Sequence, residues 1–246
     1  MKIIINGIVG YMGHEMEKLV LAGVRGAEFA GGVDPRVEDK EGCAKELDAL
    51  TAEADCLVDF SHHSCTEKML AWAVQNDMPT VIATTGQTDE EKQMILEAAK
   101  KIPIFFAANY SLGIALLAEM ARKVAAAMPE AEIEIIEKHH DRKLDAPSGT
   151  ALALAEAIRE VRPAANLVKG RAGMGKRQPD DIGIHAIRMG NIVGEHEIMI
   201  GTPNQTITLK HEAHDRALFA EGALAAAEFL VKQDAGLYDM KSLVSF

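Results

Sequence analysis

The chain has 246 residues, 48% of them hydrophobic and 26% charged, with a formal net charge of −11. That length holds one large domain or two modest ones with ample material for a core, and the acidic balance disfavours a nucleic-acid surface, which needs a basic stripe. Cys43, Cys56 and Cys65 show neither metal-ligand spacing nor a secreted-type framework and read as reduced thiols of a cytoplasmic protein; no apolar run approaches the ~18 residues of a membrane helix, and Asn6, Gly7 and His14 interrupt the N-terminal stretch before it resembles a signal peptide.

Lys2–Asn6 is a short apolar strand, and Gly10–Ala22 has a helical pattern. Glu28–Val33 is a second strand, ending at Asp34, and Arg36–Glu53 is polar with at most a short helix. Cys56–Asp59 is a strand, Ser64–Asn76 a helix, Pro79–Ala83 a strand, Thr88–Lys100 a helix and Ile104–Phe106 a strand. Short apolar runs alternating with helices predict an α/β unit, a parallel sheet with crossover helices.

The pattern changes after Asn109. Ser111–Ala127 is a long helix, Glu132–Glu137 alternates apolar and charged residues as a strand with one wet face does, and Pro147–Val161 is helix. Lys169–Asp180 is a Gly-rich basic loop. Ile184–Met189, Gly194–Ile200 and Gln205–His211 then follow with no helix between them. Such a run predicts a mixed, mainly antiparallel sheet in a second, α+β domain. Asp215–Lys232 returns to helix.

Two stretches carry chemistry. Gly7, Ile8, Val9, Gly10, Tyr11, Met12 and Gly13 form a turn after the first strand that opens the first helix. Glycines there let the backbone approach a pyrophosphate, which amides at a helix start can hold. Asp34 lies 21 residues past Gly13, where a carboxylate can accept both ribose hydroxyls of an adenosine, so dinucleotide binding is expected on a Rossmann-type doubly wound sheet. The alternative is a tight glycine turn in an ordinary α/β domain. Two loops at strand ends, Ala83-Thr84-Thr85 and Ala107-Ala108-Asn109-Tyr110, are small and hydroxyl-bearing enough to approach a nicotinamide ribose, or are plain capping turns.

The second stretch, Glu137–Leu152, gathers Lys138, His139, His140, Arg142 and Lys143 in an otherwise acidic chain. Asp145, Pro147, Ser148 and Thr150 are helix-start residues, which would leave the Gly149 and Thr150 amides open at the positive end of a helix. Cations before such a start suggest a carboxylate site; the alternative is a solvated basic loop with a routine cap.

His139-His140-x-x-Lys143-x-Asp145-Ala-Pro-Ser-Gly-Thr150 resembles the signature of the 4-hydroxy-tetrahydrodipicolinate (dihydrodipicolinate) reductase family. GIVGYMG, DFSHHS, ATTG, FFAANYSLG and RMGNIVGEHE extend the resemblance over nearly the whole chain. It implies NADH- or NADPH-dependent reduction of a cyclic dicarboxylate, with loss of water, on the route to diaminopimelate and lysine. It also implies a dinucleotide-binding domain, 1–110 and 216–246, and an inserted substrate-binding and oligomerisation domain, 111–215, in a homotetramer. By resemblance, Gly7–Met12 takes the pyrophosphate, Asp34 the adenosine ribose, and the Ala83–Thr85 and Ala107–Tyr110 loops the nicotinamide side. His139 is then the proton donor or acceptor, Lys143 the proton donor, and His140, Gly149 and Thr150 bind substrate.

The chain departs from the family at Tyr11, where many members carry Arg, in a short link between Asp34 and Asp59, and in Ala83-Thr84 for a commoner Gly-Thr. The loss of a cation at Tyr11 leaves Asp34 to favour NADH at least as much as NADPH, with Arg36 softening repulsion of a 2′-phosphate. Another dehydrogenase on this scaffold would lack the His-His-Lys-DAPSGT string, and a nucleotide sensor would not need both His139 and Lys143. A metal hydrolase is suggested only by His211-Glu-Ala-His214 and His62-His63; HxxH is not the HExxH helix pair, and no metal is expected.

Overall fold

The computed structural model describes residues 1–244. In chain order the elements are β1 (Lys2–Asn6), α1 (Tyr11–Leu21), β2 (Glu28–Val33), β3 (Cys43–Ala44), β4 (Cys56–Asp59), α2 (Thr66–Gln75), β5 (Thr80–Ile82), α3 (Asp89–Ala99) and β6 (Pro103–Phe106). There follow α4 (Leu112–Ala127), β7 (Glu132–His139), α5 (Gly149–Arg159), β8 (Asn166–Lys169), β9 (Asp181–Arg188), β10 (Gly194–Thr202), β11 (Gln205–Ala213), α6 (Ala217–Leu230), β12 (Gly236–Tyr238) and α7 (Met240–Val244). Residues Met1–Ser111 with Ala217–Leu243 form one compact unit, and Leu112–Arg216 form the body of a second.

The first unit is a parallel sheet in the order β12-β6-β5-β4-β1-β2-β3. Its central strands carry Ile3, Ile4, Ile5, Leu57, Val58, Val81 and Ile82, all fully buried, as strands covered on both faces must be. α6 packs on β4, β5 and β6 beside α1, while α2 and α3 pair with each other. The Ala-rich face of α6 permits that approach: Gly222 lies so close to the Tyr110 carbonyl that a side chain there would overlap it. Strand order reverses at β1, between β2 and β4, which is where doubly wound sheets open a crevice for ligands beyond the strand ends.

The second unit holds a mixed sheet in the order β11-β10-β7-β9-β8, with β10 antiparallel to both neighbours and β7–β9 and β8–β9 parallel. Ile133 and Ile135 of β7, Ile182 and Ile184 of β9, and Ile198 and Ile200 of β10 join Leu117, Ala121, Leu154 and Ile158 of α4 and α5 in one core. Burying each such isoleucine is worth roughly 1.5–3 kcal/mol. The two-residue period of β7 puts Glu137 and His139 on this inner face and Glu134, Ile136 and Lys138 on the other.

Three short strands, β3, β8 and β12, and helix α7 were not foreseen from the sequence, because segments of two to five residues carry too few turns or alternations to show a period. β7 runs two residues past the expected end, since Lys138 and His139 still find ladder partners in Ile187 and Arg188. α5 begins at Gly149 rather than Pro147. Ser148 takes the N-cap, its Oγ accepting from the Ala151 amide, so Pro147 lies outside the first turn. Among the described residues no helix is long and apolar enough to cross a membrane.

Candidate active site

The glycine turn is built as a backbone-only surface. Gly7 has φ +83°, and a Cβ on it would stand 2.5 Å from the Phe60 carbonyl oxygen. A side chain at Gly13 would overlap the Gly7 carbonyl. Gly10 is the extended N-cap of α1. Ile8 is fully buried, so its side chain anchors the turn while Val9, Gly10 and Met12 remain partly exposed and Tyr11 is 56% exposed at the helix start. Gly7→Ala is expected to destabilise the first unit by roughly 1–3 kcal/mol through the positive φ alone and to weaken cofactor binding as the Phe60 carbonyl is displaced. Thermal unfolding beside cofactor titration measures this; unchanged melting and affinity would show that the turn accepts a side chain.

Asp34 sits just past β2, nearly buried, in a two-pronged pair with Arg36: Nε to Oδ1 at 2.9 Å and Nη2 to Oδ2 at 2.9 Å, with the Arg36 amide donating to Oδ1 at 3.0 Å. The Arg36 bonds hold the Asp34 carboxyl below the usual range against the opposing effect of burial. Asp34 and Gly7 line a cavity of about 570 Å³ together with Lys45, Ser61, Met69 and Trp72, a size within the ~300–1,000 Å³ of ligand pockets. The side-chain walls from α2 and the polar link were not legible, because only folding brings them beside β2.

At the other strand ends, the Ala83 amide donates to the Asp59 carbonyl at 2.9 Å, Thr84 is buried, and Thr85 is exposed. Ala107 and Asn109 are half-buried and Ala108 is exposed, while Asn109 Oδ1 accepts from the Ser111 amide at 2.8 Å. Tyr110 is different: its ring is buried and its hydroxyl donates into the core, with the Ile82 and Phe105 carbonyls at 2.8 and 3.1 Å, so its side chain ties β5 to β6. Sequence reasoning missed Asp59, a buried carboxylate at the end of β4 that accepts from Asn6 Nδ2 at 2.8 Å and Ser61 Oγ at 2.6 Å. Burial raises its carboxyl despite those bonds. Asn6 and Asp59 end the two strands that flank the crevice, the one signal that could have pointed to them.

The second unit gathers the other candidates around Glu137, which has no solvent exposure. Its Oε1 accepts from the Ser148 amide at 2.9 Å and Arg188 Nη2 at 2.7 Å; its Oε2 accepts from Arg188 Nη1 at 2.8 Å and meets His139 Nδ1 at 2.6 Å. Burial alone would raise the Glu137 carboxyl, and these bonds outweigh it and hold the group below its ordinary value. His139 is lowered from its ordinary value, first by burial and further by the Lys143 and Arg188 cations, with Glu137 opposing. The His196 ring stands edge-on to it at 5.3 Å, is pushed down to about 4 by burial, and meets Ser148 Oγ at 3.3 Å. Glu137, Arg188 and His196 were not singled out from the sequence, and Ser148 only as a helix-start residue. The ladder pairs of β7, β9 and β10 bring Glu137, Arg188 and His196 together, and pairing cannot be read along one strand.

The five basic residues of that stretch do not act together. Lys138 faces away from His139 and pairs with Glu195 at 2.8 Å. Arg142 pairs with Asp141 and Asn191, both at 3.0 Å, in solvent. Lys143 is a quarter exposed and meets Asp145 Oδ1 at 2.8 Å. Asp145, read as a helix-start residue, is instead this counter-ion: Lys143 first, and the Gly149 amide among lesser contributions, hold its carboxyl low. Thr150 follows, half-buried, in the first turn of α5, and His140 is half-buried beside His139.

Among the described residues no three His, Cys, Asp or Glu are grouped as metal ligands. His62 meets Ser64 and His63 meets Glu91 at 3.0 Å.

Family models for the N-terminus and C-terminus of dihydrodipicolinate reductase match residues 1–110 and 113–244. The chain is 43% identical over 246 residues to a 4-hydroxy-tetrahydrodipicolinate reductase of Caldanaerobacter subterraneus subsp. tengcongensis, covering 99% of this chain and 98% of that one. It is 40% identical over 246 residues to the reductase of the same name from Alkaliphilus metalliredigens, covering 99% of each. Among solved structures, a dipicolinate-bound dihydrodipicolinate reductase from Paenisporosarcina sp. TG-14 superposes with a TM-score of 0.83, at 28% identity and 99% coverage of both chains.

Proposed function

The chain belongs to the dihydrodipicolinate reductase family, and from that premise we propose that it reduces 4-hydroxy-tetrahydrodipicolinate to tetrahydrodipicolinate with a nicotinamide cofactor, releasing water, on the route to diaminopimelate and lysine. The observation that carries this reading is the Asp145 carboxylate paired with Lys143 at 2.8 Å just before the start of α5. A carboxylate already meets the lysine that one carboxylate of a cyclic diacid would use.

The first unit suits the cofactor. Gly7, Ile8, Val9, Gly10, Tyr11 and Met12 offer a pyrophosphate the side-chain-free turn, and Asp34 offers an adenosine ribose its carboxylate. Ala83, Thr84 and Thr85, with Ala107, Ala108, Asn109 and the Tyr110 backbone, form the nicotinamide side of the same reading. When bound, the reduced nicotinamide supplies the hydride.

In the second unit, His140 and the Gly149 and Thr150 amides bind substrate carboxylate, with Asp145 displaced. His139 works as acceptor first. Its Nδ1 faces an acceptor-only carboxylate, so the neutral ring carries its lone pair on Nε2. It takes the proton from the ring carbon beside the carbinol, Lys143 protonates the departing hydroxyl as water, and His139 returns its proton to the same ring carbon after reduction. Lys143 recovers a proton from solvent, so one hydride and one proton are consumed for each water released. Positioned proton transfer of this kind contributes about 10²–10⁴-fold.

The same family reading supports a cytoplasmic homotetramer assembled through the second sheet. The face of that sheet opposite α4 and α5 carries Ile136, Met199 and the 41%-exposed Ile187 among charged residues. The division of labour, cofactor in the first unit and substrate and assembly in the second, belongs to the same proposal.

The test is oxidation of NADH or NADPH by the purified protein, supplied with fresh product of the synthase step that makes the substrate. No oxidation above the uncoupled rate would refute the proposal. In the same assay the ratio of kcat/KM is expected to favour NADH or to leave the two cofactors within about tenfold, or 1.4 kcal/mol. Asp34 repels a 2′-phosphate, but its partner Arg36, 67% exposed, can turn to meet one. A stronger preference for NADPH would contradict this.

A further inference from the structure

Glu137 is a fully buried carboxylate at the polar end of an apolar sheet face, and a buried charge persists only when its lone pairs are matched. Here they are matched by donors from three separate pieces of chain: Arg188 on β9, the Ser148 amide at the start of α5, and His139 on its own strand. Arg188 reaches further, since its Nη2 also donates to the Asp145 carbonyl at 2.6 Å. One carboxylate and one guanidinium therefore join the imidazole to the loop that carries Lys143 and Asp145.

We infer that the Glu137–Arg188 pair is a positioning device for His139: Glu137 fixes the Nδ1–H tautomer and leaves Nε2 as the lone-pair nitrogen, while Arg188 cancels the charge that would otherwise favour an imidazolium. The inference rests on the reading of His139 as the proton-exchanging group. An ionised carboxylate has no proton to give, so Nδ1 must be the donor in that 2.6 Å contact. The opposite nitrogen faces Gly194, where a Cβ would stand 3.1 Å from Nε2, so the missing side chain leaves that nitrogen room. The charged and titratable groups around the ring are Glu137 on β7, Arg188 on β9, His196 on β10 and Lys143 on the loop. With Arg188 already neutralising Glu137, a second cation beside Lys143 is disfavoured, which agrees with the lowered His139.

The pair makes a prediction that packing alone would not. In Glu137→Gln the amide nitrogen must face either His139 or the Ser148 amide, and the acceptor for Nδ1–H is lost or contested. The His139 midpoint should fall, because a neighbouring anion is gone and Arg188 is left uncompensated. In Arg188→Gln the carboxylate is undiluted, the tautomer stays, and the midpoint should rise. Shifts of about one pH unit or more are expected, as for a single charge at contact distance.

The experiment is nitrogen NMR of the full chain labelled with 15N-histidine, with His139→Gln identifying the resonance, titrated for the parent and both variants. Support is an Nδ1–H tautomer in the parent, an Nε2–H shift with a lower midpoint in Glu137→Gln, and a higher midpoint in Arg188→Gln. An Nε2–H parent, or midpoints moving together or not at all, overturns the inference. If Glu137→Gln does not fold, the parent tautomer and Arg188→Gln decide by the same criteria. Turnover separates this from the catalytic reading: kcat of Glu137→Gln should drop about 100-fold, with partial recovery in Glu137→Asp. If the NMR behaves as expected while His139→Gln turns over normally, positioning stands and the catalytic role of His139 is what fails.

Discussion

His139→Gln and Lys143→Ala are each expected to lower kcat by about 10²–10⁴-fold while cofactor affinity stays within about twofold. The reason is placement. Both residues belong to the second unit, and neither lies in the cavity that Asp34 and Gly7 line in the first. His139 is held by a buried carboxylate and Lys143 by a largely exposed Asp145, so Lys143→Ala leaves its partner in water and should cost little stability. His139→Gln keeps a donor toward Glu137 and so preserves the buried network better than alanine would. Cofactor titration by fluorescence, run beside steady-state rates, measures both halves of the expectation. Near-normal turnover in both variants would remove them from the chemistry.

Pyridine-2,6-dicarboxylate is expected to compete with substrate, and pyridine-2-carboxylate to bind roughly 10–100-fold more weakly, the equivalent of one lost charge-assisted bond of about 1.5–3 kcal/mol. The flat ring with two carboxylates mimics the proposed substrate, and the Paenisporosarcina relative is described as dipicolinate-bound. One carboxylate would replace Asp145 between Lys143 and the start of α5, where helix amides favour an anion. Thr150→Val keeps the amide but removes the hydroxyl that would add a second donor to the same carboxylate, so it should weaken inhibitor and substrate together and spare the cofactor. Steady-state inhibition patterns for the two pyridines decide the matter; equal inhibition by both, or no competition, would return the loop to a solvated surface. Lys138 and Arg142 contribute nothing here, because Glu195 and Asp141 hold them elsewhere, so neutralising either should leave the inhibition constant within about twofold.

What the sequence determined by itself was whatever depends on neighbours along the chain. The alternation of short apolar runs and amphipathic helices up to Phe106 announced the parallel sheet, and the glycines at 7, 10 and 13 announced the turn, since backbone sterics act locally. The string from His139 to Thr150 pointed to a second site through its resemblance to a family signature. Tertiary structure decided which of those residues work together. Lys138 and His139 are adjacent in sequence, yet the pleat of β7 sends them to opposite faces. Asp145 looked like a helix cap until Ser148 took the cap and Asp145 turned to Lys143. Glu137 looked like one more wet-face acid of an alternating strand, and only the lateral pairing of β7 with β9 brings Arg188 onto it, 51 residues away. A charge enters a core only when distant donors converge on it, and convergence is a property of the folded sheet, absent from any single segment.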